Sequence, residues 1–411
     1  MLALPENRQW RNFDWFLLLT VAMLIGTGLL AIYSATHNSA GNTGEFGRQL
    51  IFLIPATVAM VAMLLYDYGW LFNMSRWIYW GNVGLLAFVL VGGHSALGAQ
   101  RWINLGFMTI QPSEFAKLAL IVTLAKLLSM QSAKDPRTLI PVALHVAVPA
   151  ALIFKQPDLG TSLVFGAITI GMLFWAGLPY GMLFALVSPI VSVLTSLIGW
   201  PLWIAYLIIL GIWAWRFFPI HWGVKVGTVA LNVAAAFAIP LLWGLLKPYQ
   251  RQRLVVFMNP EADPLGSGYH IIQSKVAIGS GGLSGKGLFE GTQTQLHFIP
   301  EQHTDFVFSV IGEELGFLGG IGLLAIFMLL VWRGVEIARR AKDDFGSLIA
   351  IGVISMLLFH AFVNLGMTMG IMPVTGIPLP FISSGGTSLL TNLAAIGLLL
   401  SIGIRRHKLR I

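Results

Sequence analysis

Hydrophobic positions along this chain come in long unbroken blocks separated by short polar breaks. Blocks of roughly 17 to 25 apolar residues recur from end to end, each enough to carry a helix across a hydrocarbon core of about 30 Å. The pattern predicts spans at 14–34, 49–66, 77–94, 113–130, 139–154, 160–177, 181–199, 201–218, 226–246, 306–332, 346–368 and 385–404, or about twelve helices. The expected fold is therefore an all-α polytopic membrane bundle, one integral domain over 1–411. The blocks 181–199 and 201–218 meet at a turn near Trp200 and Pro201, so 181–220 reads as a hairpin that either spans or re-enters. Both readings preserve the sidedness of everything after it. One long segment, 248–305, is too polar to span and too mixed in composition for a disordered tail. Long ordered loops often carry function.

Composition sharpens this picture. Of 411 residues 56% are hydrophobic and only 10% charged, where a soluble domain carries about 25% charged residues. The first block follows Arg8 and Arg11, as a signal sequence would, but it is longer than a signal's apolar core and no small-x-small cleavage site follows. It reads as a retained first helix. The absence of cysteine excludes disulfides and thiolate metal sites. A net charge of +8 raises nucleic acid as a ligand, but the charges punctuate helices instead of forming a patch, so no nucleic-acid partner is expected. With the N-terminus inside, Arg76, Lys126, Lys134, Arg137, Arg216, Lys225, Arg333, Arg339, Arg340, Lys342, Arg405, Arg406, Lys408 and Arg410 lie on or near the cytoplasmic side. Basic residues in short loops resist translocation, so both termini are expected in the cytoplasm and 248–305 outside.

The candidate chemistry is confined to the outward loops. In the longest, Asn259-Pro and Asp263-Pro restrict the backbone, and Gly266 and Gly268 permit tight turns, so Asp263 is expected at a fixed point. It is either a positioned carboxylate or a solvated turn residue. An earlier outer loop carries Arg101 and Trp102, followed by Gln111-Pro-Ser-Glu114-Phe-Ala-Lys117 entering a helix. Glu114 and Lys117 share a helix face, and charges inside a span are costly unless paired or lining a wet cavity. They are expected to face the bundle interior near its outer mouth, as site residues or as a structural pair. Asp158 lies at the outer end of another span, where N-capping would also account for it. The 372–388 loop, with Ser383 and Ser384, offers hydroxyls and backbone amides for a phosphate at the start of the last helix, or simply a cap. Two motifs are set aside. Gly281-Gly-Leu-Ser-Gly-Lys286-Gly lacks the spacing of a nucleotide-binding loop, and His297, Glu301, His303 and Asp305 match no metal signature, so no protein-only metal site is expected.

At these motifs the chain closely resembles the SEDS (shape, elongation, division and sporulation) family, nearer its elongation branch than its division branch, from the first helix to Gly403. The resemblance rests on Tyr249-Gln-Arg-Gln-Arg-Leu254, on the unbroken stretch from Asp263 to Leu283, on His303-Thr-Asp-Phe306 and on Gly312-Glu-Glu-Leu-Gly316. It implies a peptidoglycan glycosyltransferase in the cytoplasmic (inner) membrane that polymerises lipid II into glycan strands during elongation and releases undecaprenyl pyrophosphate. Asp263 matches the essential aspartate, and Arg101-Trp102, Glu114 with Lys117, and Asp158 match further family motifs. It also implies a class B penicillin-binding protein as partner, alongside other membrane proteins of the elongation complex. Family members usually have ten helices, so the 181–220 hairpin is an addition.

Chemically, Asp263 is expected to take the proton from an acceptor sugar 4-hydroxyl as it attacks and inverts the anomeric carbon. Arg101 and Lys117, with Lys275 or a divalent cation such as Mg or Mn, are the candidates to neutralise the departing diphosphate. Two other classes compete. A lipid flippase would also have many helices and a few buried charges, but no clear internal repeat is visible and the polar groups cluster at one face. A non-catalytic scaffold would need neither the buried charges nor the elaborate outer loop.

Overall fold

The computed structural model describes residues 10–37, 43–96, 99–104, 109–217, 222–264, 266, 268–296, 298–300 and 302–406. In chain order, α1 (Trp15–Thr36), α2 (Thr43–Leu65) and α3 (Gly69–Gly92) lead to strands β1 (His94–Ala96), β2 (Ala99–Asn104) and β3 (Thr109–Ile110). Then come α4 (Pro112–Met130), α5 (Leu139–Lys155), α6 (Leu159–Trp175), α7 (Tyr180–Ile198), α8 (Trp200–Phe217) and α9 (Trp222–Phe237). After the short α10 (Ile239–Leu245), the polar segment holds α11 (Pro248–Met258), α12 (Tyr269–Ser280) and α13 (Thr292–Gln295). The chain ends with α14 (Val307–Glu314), α15 (Gly316–Arg339), α16 (Asp344–Thr368) and α17 (Gly386–Ile404).

A helix occupies each of the twelve apolar blocks. Among the described residues eight are long and apolar enough to cross a membrane. The shorter apolar helices Leu159–Trp175, Trp200–Arg216 and Trp222–Phe237 and the charge-bearing α4 account for the rest. The most apolar windows of α16 and α17 are 78% and 89% buried, against 17% for α2, so these two form the axis of the bundle. Around α16 pack α4, α6, α15 and α17.

Two predicted spans need correction. The predicted span 226–246 is two helices, because Pro240 has no N–H to continue the ladder. The predicted span 306–332 is also divided, with a break at Gly316, whose φ of +64° is disfavoured for side-chain-bearing residues, so the long helix starts there. The 248–305 segment holds three α-helices, of which α11, reading Pro-Tyr-Gln-Arg-Gln-Arg-Leu-Val-Val-Phe-Met, is too polar for a hydropathy scan to detect. The all-α description also omits a small antiparallel sheet, β1-β2-β3, in the 94–110 loop.

The hairpin α7–α8 folds against α9 as a three-helix unit. A buried polar network ties it together. Asn232 Nδ2 donates to Ser188 Oγ at 2.8 Å and to the Thr228 carbonyl, while Tyr206 Oη donates to Asn232 Oδ1 at 3.1 Å. Trp203 Nε1 donates to Ser192 Oγ at 2.9 Å, and Ser192 Oγ donates to the Asn232 carbonyl at 2.8 Å. Polar groups in a lipid-embedded helix are tolerated when they find partners across helices, as they do here.

Helix ends separate into two polar zones. At one, Asp14 caps α1 and pairs with Arg333 at 2.5 Å, while Asp343 caps α16 and accepts from Tyr68 Oη at 3.0 Å. The other collects the C-terminus of α3, the N-termini of α4 and α6, and helix α11, and there the candidate residues lie.

Candidate functional site

Asp263 closes a tight turn between a 3-10 turn (Pro260–Ala262) and α12. Its carbonyl accepts from Gly266 N at 3.3 Å and Gly268 N at 3.0 Å, and its Oδ2 accepts from Gln252 Nε2 at 3.2 Å. Both glycines are there for space. A Cβ on Gly266 would lie 2.7 Å from Asp263 Cγ and closer still to both carboxylate oxygens, and one on Gly268 would lie 2.7 Å from the Asp263 carbonyl oxygen. The turn thus holds a half-buried carboxylate at a defined point, as its proline and glycine spacing predicts.

One helix joins this turn to Arg101. Tyr249 and Gln252 lie three residues apart on α11, hence on neighbouring positions of one face. Arg101 Nη2 donates to Tyr249 Oη at 3.1 Å, Nε donates to the Gln156 carbonyl at 2.9 Å, and Nη2 also donates to the Pro157 carbonyl. Tyr249 Oη and Gln250 Nε2 donate to that same Pro157 carbonyl at 3.0 and 3.2 Å. Arg253, exposed on the next turn of α11, packs its guanidinium over the Tyr249 ring and donates to the Val374 carbonyl at 3.3 Å. Trp102, beside Arg101 on β2, pairs in register with His94 and is half-buried.

Asp158 joins α4 to α6. Its Oδ1 caps α6 through Thr161 N at 3.2 Å, and its Oδ2 accepts from Thr161 Oγ1 at 3.0 Å, Gln111 Nε2 at 3.1 Å and Ser113 Oγ at 3.3 Å. The capping alternative is therefore what the geometry contains, extended into a clamp on the first turn of α4. One turn further in, Lys117 Nζ pairs with Glu114 Oε1 at 2.7 Å, with Lys117 only 1% and Glu114 5% exposed. The other side of the ammonium meets His360 Nε2 of α16 at 3.3 Å.

Lys275 is exposed on α12 and lies against α16, where a Cβ on Gly370 would come 2.7 Å from its Nζ. Ser383 and Ser384 form a separate loop. Ser383 Oγ accepts from Leu379 N at 2.8 Å and so closes its own turn, while Ser384 N donates to the His303 carbonyl at 2.9 Å. Gln49 of α2 accepts from Gly385 N at 3.2 Å. Asp263, Arg101, Asp158, Glu114 and Lys117 thus form one connected assembly around α11 and α4, whereas the 383–385 loop is anchored to α2 and residue 303. Among the described residues no three His, Asp or Glu side chains gather to hold a metal ion; His297 and Glu301 lie outside those residues.

Sequence reasoning missed the polar stripe of α16. His360, Asn364 and Thr368, spaced by four on one face, are all 0% exposed. Asn364 Nδ2 donates to the carbonyls of Asp305 (3.0 Å) and Ile377 (2.8 Å), and the Thr368 carbonyl accepts from Ser274 Oγ at 2.6 Å. Three polar residues at helical spacing in an otherwise apolar span were the available signal. The adjacent pair Glu313 and Glu314 entered the sequence reading only as part of a family motif and not as site residues. Burial pushes the Glu313 carboxyl up, but Lys286 at 2.7 Å and the Gln293 and Thr294 N–H groups at 2.9 Å outweigh it and hold the group below the usual carboxylate range. For Glu314 burial wins, against hydrogen bonds from Ser34, Phe289 and Gln295, and its pKa is raised.

The fold and this assembly describe a multi-pass membrane protein with a carboxylate and cations clustered at one end of the bundle. Comparison with known proteins identifies the family: the chain belongs to the FtsW, RodA and SpoVE family of cell cycle proteins, whose model matches residues 15–210 and 202–408. The two matched segments overlap within α8. The peptidoglycan glycosyltransferase RodA of Treponema pallidum is 38% identical over 429 aligned residues, covering 96% of this chain and 98% of that protein. The peptidoglycan glycosyltransferase MrdB of Escherichia coli K12 is 38% identical over 404, covering 97% and 95%. Among solved structures, a chain from "Structural coordination of polymerization and crosslinking by a peptidoglycan synthase complex" superposes with a TM-score of 0.74 at 32% identity, covering 96% of this chain and 99% of that one. The rod shape determining protein RodA of Thermus thermophilus superposes with a TM-score of 0.63 at 29% identity, covering 97% and 99%.

Proposed function

We propose that this chain is a peptidoglycan glycosyltransferase that extends glycan strands from lipid II at the outer face of the cytoplasmic membrane during cell elongation. The glycosyltransferase activity is supported by full-length similarity to enzymes of that name. The observation that carries the residue assignment is the Asp263 turn, in which two glycines clear space for one half-buried carboxylate three residues of helix away from the Arg101 contact.

Lipid II is an activated donor, because its sugar is joined to a diphosphate, so the reaction needs a base and charge neutralisation but no nucleotide. In this reading Asp263 accepts the proton of the acceptor sugar's 4-hydroxyl while that oxygen attacks the anomeric carbon from the face opposite the leaving group. The bond to undecaprenyl pyrophosphate breaks and the configuration inverts. A positioned base contributes on the order of 10² to 10⁴ in rate. Arg253, exposed beside Tyr249, and Arg101 are the cations offered to the diphosphate. Lys117 is 1% exposed and already paired, so it acts on the site through α4 and not by direct contact. A divalent cation would add charge neutralisation at the departing diphosphate, and chelation followed by re-addition of Mg or Mn measures its contribution.

The orientation follows from the loop charges, which favour cytoplasmic termini and an outward-facing Asp263. The partner is a class B penicillin-binding protein that cross-links the new strands, a reading supported by the 32% identical chain from a peptidoglycan synthase complex. Purified full-length protein incubated with fluorescent lipid II is expected to yield a ladder of glycan polymers, and Asp263→Ala, reaching the membrane in normal amounts, is expected to yield none. Full-length strands from that variant would remove Asp263 as base. Movement of label across liposomes without polymer would instead support the flippase class.

A further inference from the structure

Lys117, 1% exposed, carries a charge inside the bundle. Its ammonium has three donors; one goes to Glu114 Oε1 at 2.7 Å and another faces His360 Nε2 at 3.3 Å. For Nε2 to accept, the imidazole must be neutral with its proton on Nδ1. His360 is the contact that reaches Lys117 from the axial helix α16; Glu114 belongs to Lys117's own helix. A lone i,i+3 pair would leave the ammonium free to swing with its flexible stem. A third point from another helix fixes it.

The pair sits at the root of the site. Glu114 lies in the first turn of α4, the turn whose Gln111 and Ser113 are clamped on Asp158. The Pro157 carbonyl next to Asp158 takes the hydrogen bonds of Arg101, Tyr249 and Gln250, and α11 then carries Gln252 to Asp263. Glu114 Oε2 and His360 Nδ1 are both buried with no hydrogen-bond partner. Such buried polar atoms are costly where nothing offsets them. The other atom of each group, Glu114 Oε1 and His360 Nε2, meets the one ammonium, so the cost is set against holding that cation in place.

We propose that His360 is a positioning residue for transfer: by accepting from Lys117 it locks α4 to α16, and so holds the Arg101 and Asp263 end of the assembly in register. This rests on the polymerase reading of the site. His360 does not touch substrate, and its effect is exerted on turnover more than on substrate binding.

Two substitutions separate positioning from plain packing. His360→Gln keeps an acceptor within reach of Lys117, while His360→Leu keeps the bulk and removes it. Full-length protein in detergent is assayed for kcat and KM with labelled lipid II, and in parallel for modification of Lys117 by an amine-reactive reagent read by mass spectrometry. His360→Leu is expected to lower kcat about tenfold or more, the scale of one hydrogen bond to a buried charge, with KM within about twofold. It should also raise Lys117 labelling severalfold, and His360→Gln should restore both. Wild-type kcat and wild-type protection of Lys117 in His360→Leu would overturn the proposal, as would equal loss in the two variants. If wild-type protein makes no polymer, the polymerase reading falls, while the labelling contrast still decides whether His360 holds Lys117.

Discussion

Gly266→Ala is the most direct probe of how the Asp263 carboxylate is placed. A methyl group there would lie 2.7 Å from Asp263 Cγ, whereas non-bonded carbons rest at about 3.5 to 4.0 Å. The carboxylate must therefore retreat by roughly 1 Å or rotate out of the turn, since what it meets is the end of a short side chain and not backbone. A displacement of about 1 Å at a reacting group costs on the order of 10²-fold in rate, equivalent to about 2.7 kcal/mol of barrier. The substitution should leave the fold standing. Gly279→Ala is the matching control: it lies in α12 with open space around it, and replacing a helical glycine stabilises by about 0.5 to 1 kcal/mol. Polymerisation of labelled lipid II, measured with thermal unfolding of both variants, makes the comparison. Wild-type turnover by a Gly266→Ala protein would refute the claim that the carboxylate position governs the rate.

Glu313 carries a pH signature with a definite sign. Its folded pKa lies below the unfolded value of about 4.3, so its stabilising contribution is fully present above that value and is lost as pH falls through the folded pKa. The difference in Tm between wild type and Glu313→Gln should be full at neutral pH and shrink below about pH 4; a pH-independent difference would contradict the assignment. In the three-helix unit α7–α9, Asn232→Leu removes two donors and the acceptor used by Tyr206. It should cost about 1 to 2 kcal/mol in thermal unfolding, and an unchanged Tm would show that the network does not clasp α9. Lys117→Ala leaves the Glu114 charge buried and unpaired, so it should destabilise by about 3 to 5 kcal/mol, while the paired replacement Glu114→Gln with Lys117→Met should recover much of that loss. A Lys117→Ala protein as stable as wild type would refute the claim that the pair with Glu114 supports the fold.

Linear patterning carried the membrane character, the position of the long helices and the loops between them with their acidic and basic residues, because a lipid-facing segment must be apolar over its whole length whatever it packs against. The Asp263 turn was also legible, since proline and glycine act locally. Hydropathy failed where the physics is not that of a span. It joined α9 to α10 across Pro240 and α14 to α15 across Gly316, and it read α11 as loop because that helix is polar on most faces.

Which polar residues meet was decided by the tertiary structure alone. Glu114 and Lys117 are near in sequence, and their pairing follows from helical spacing. That His360 completes the contact from 243 residues away, that one carbonyl at Pro157 receives three side chains, and that Asn364 secures both the 305 and 377 segments depend on how α4, α6, α11 and α16 pack. Apolar burial is a property of a segment and can be read from its residues one window at a time. A hydrogen bond between distant helices depends on distance and direction, which exist only once the bundle has closed.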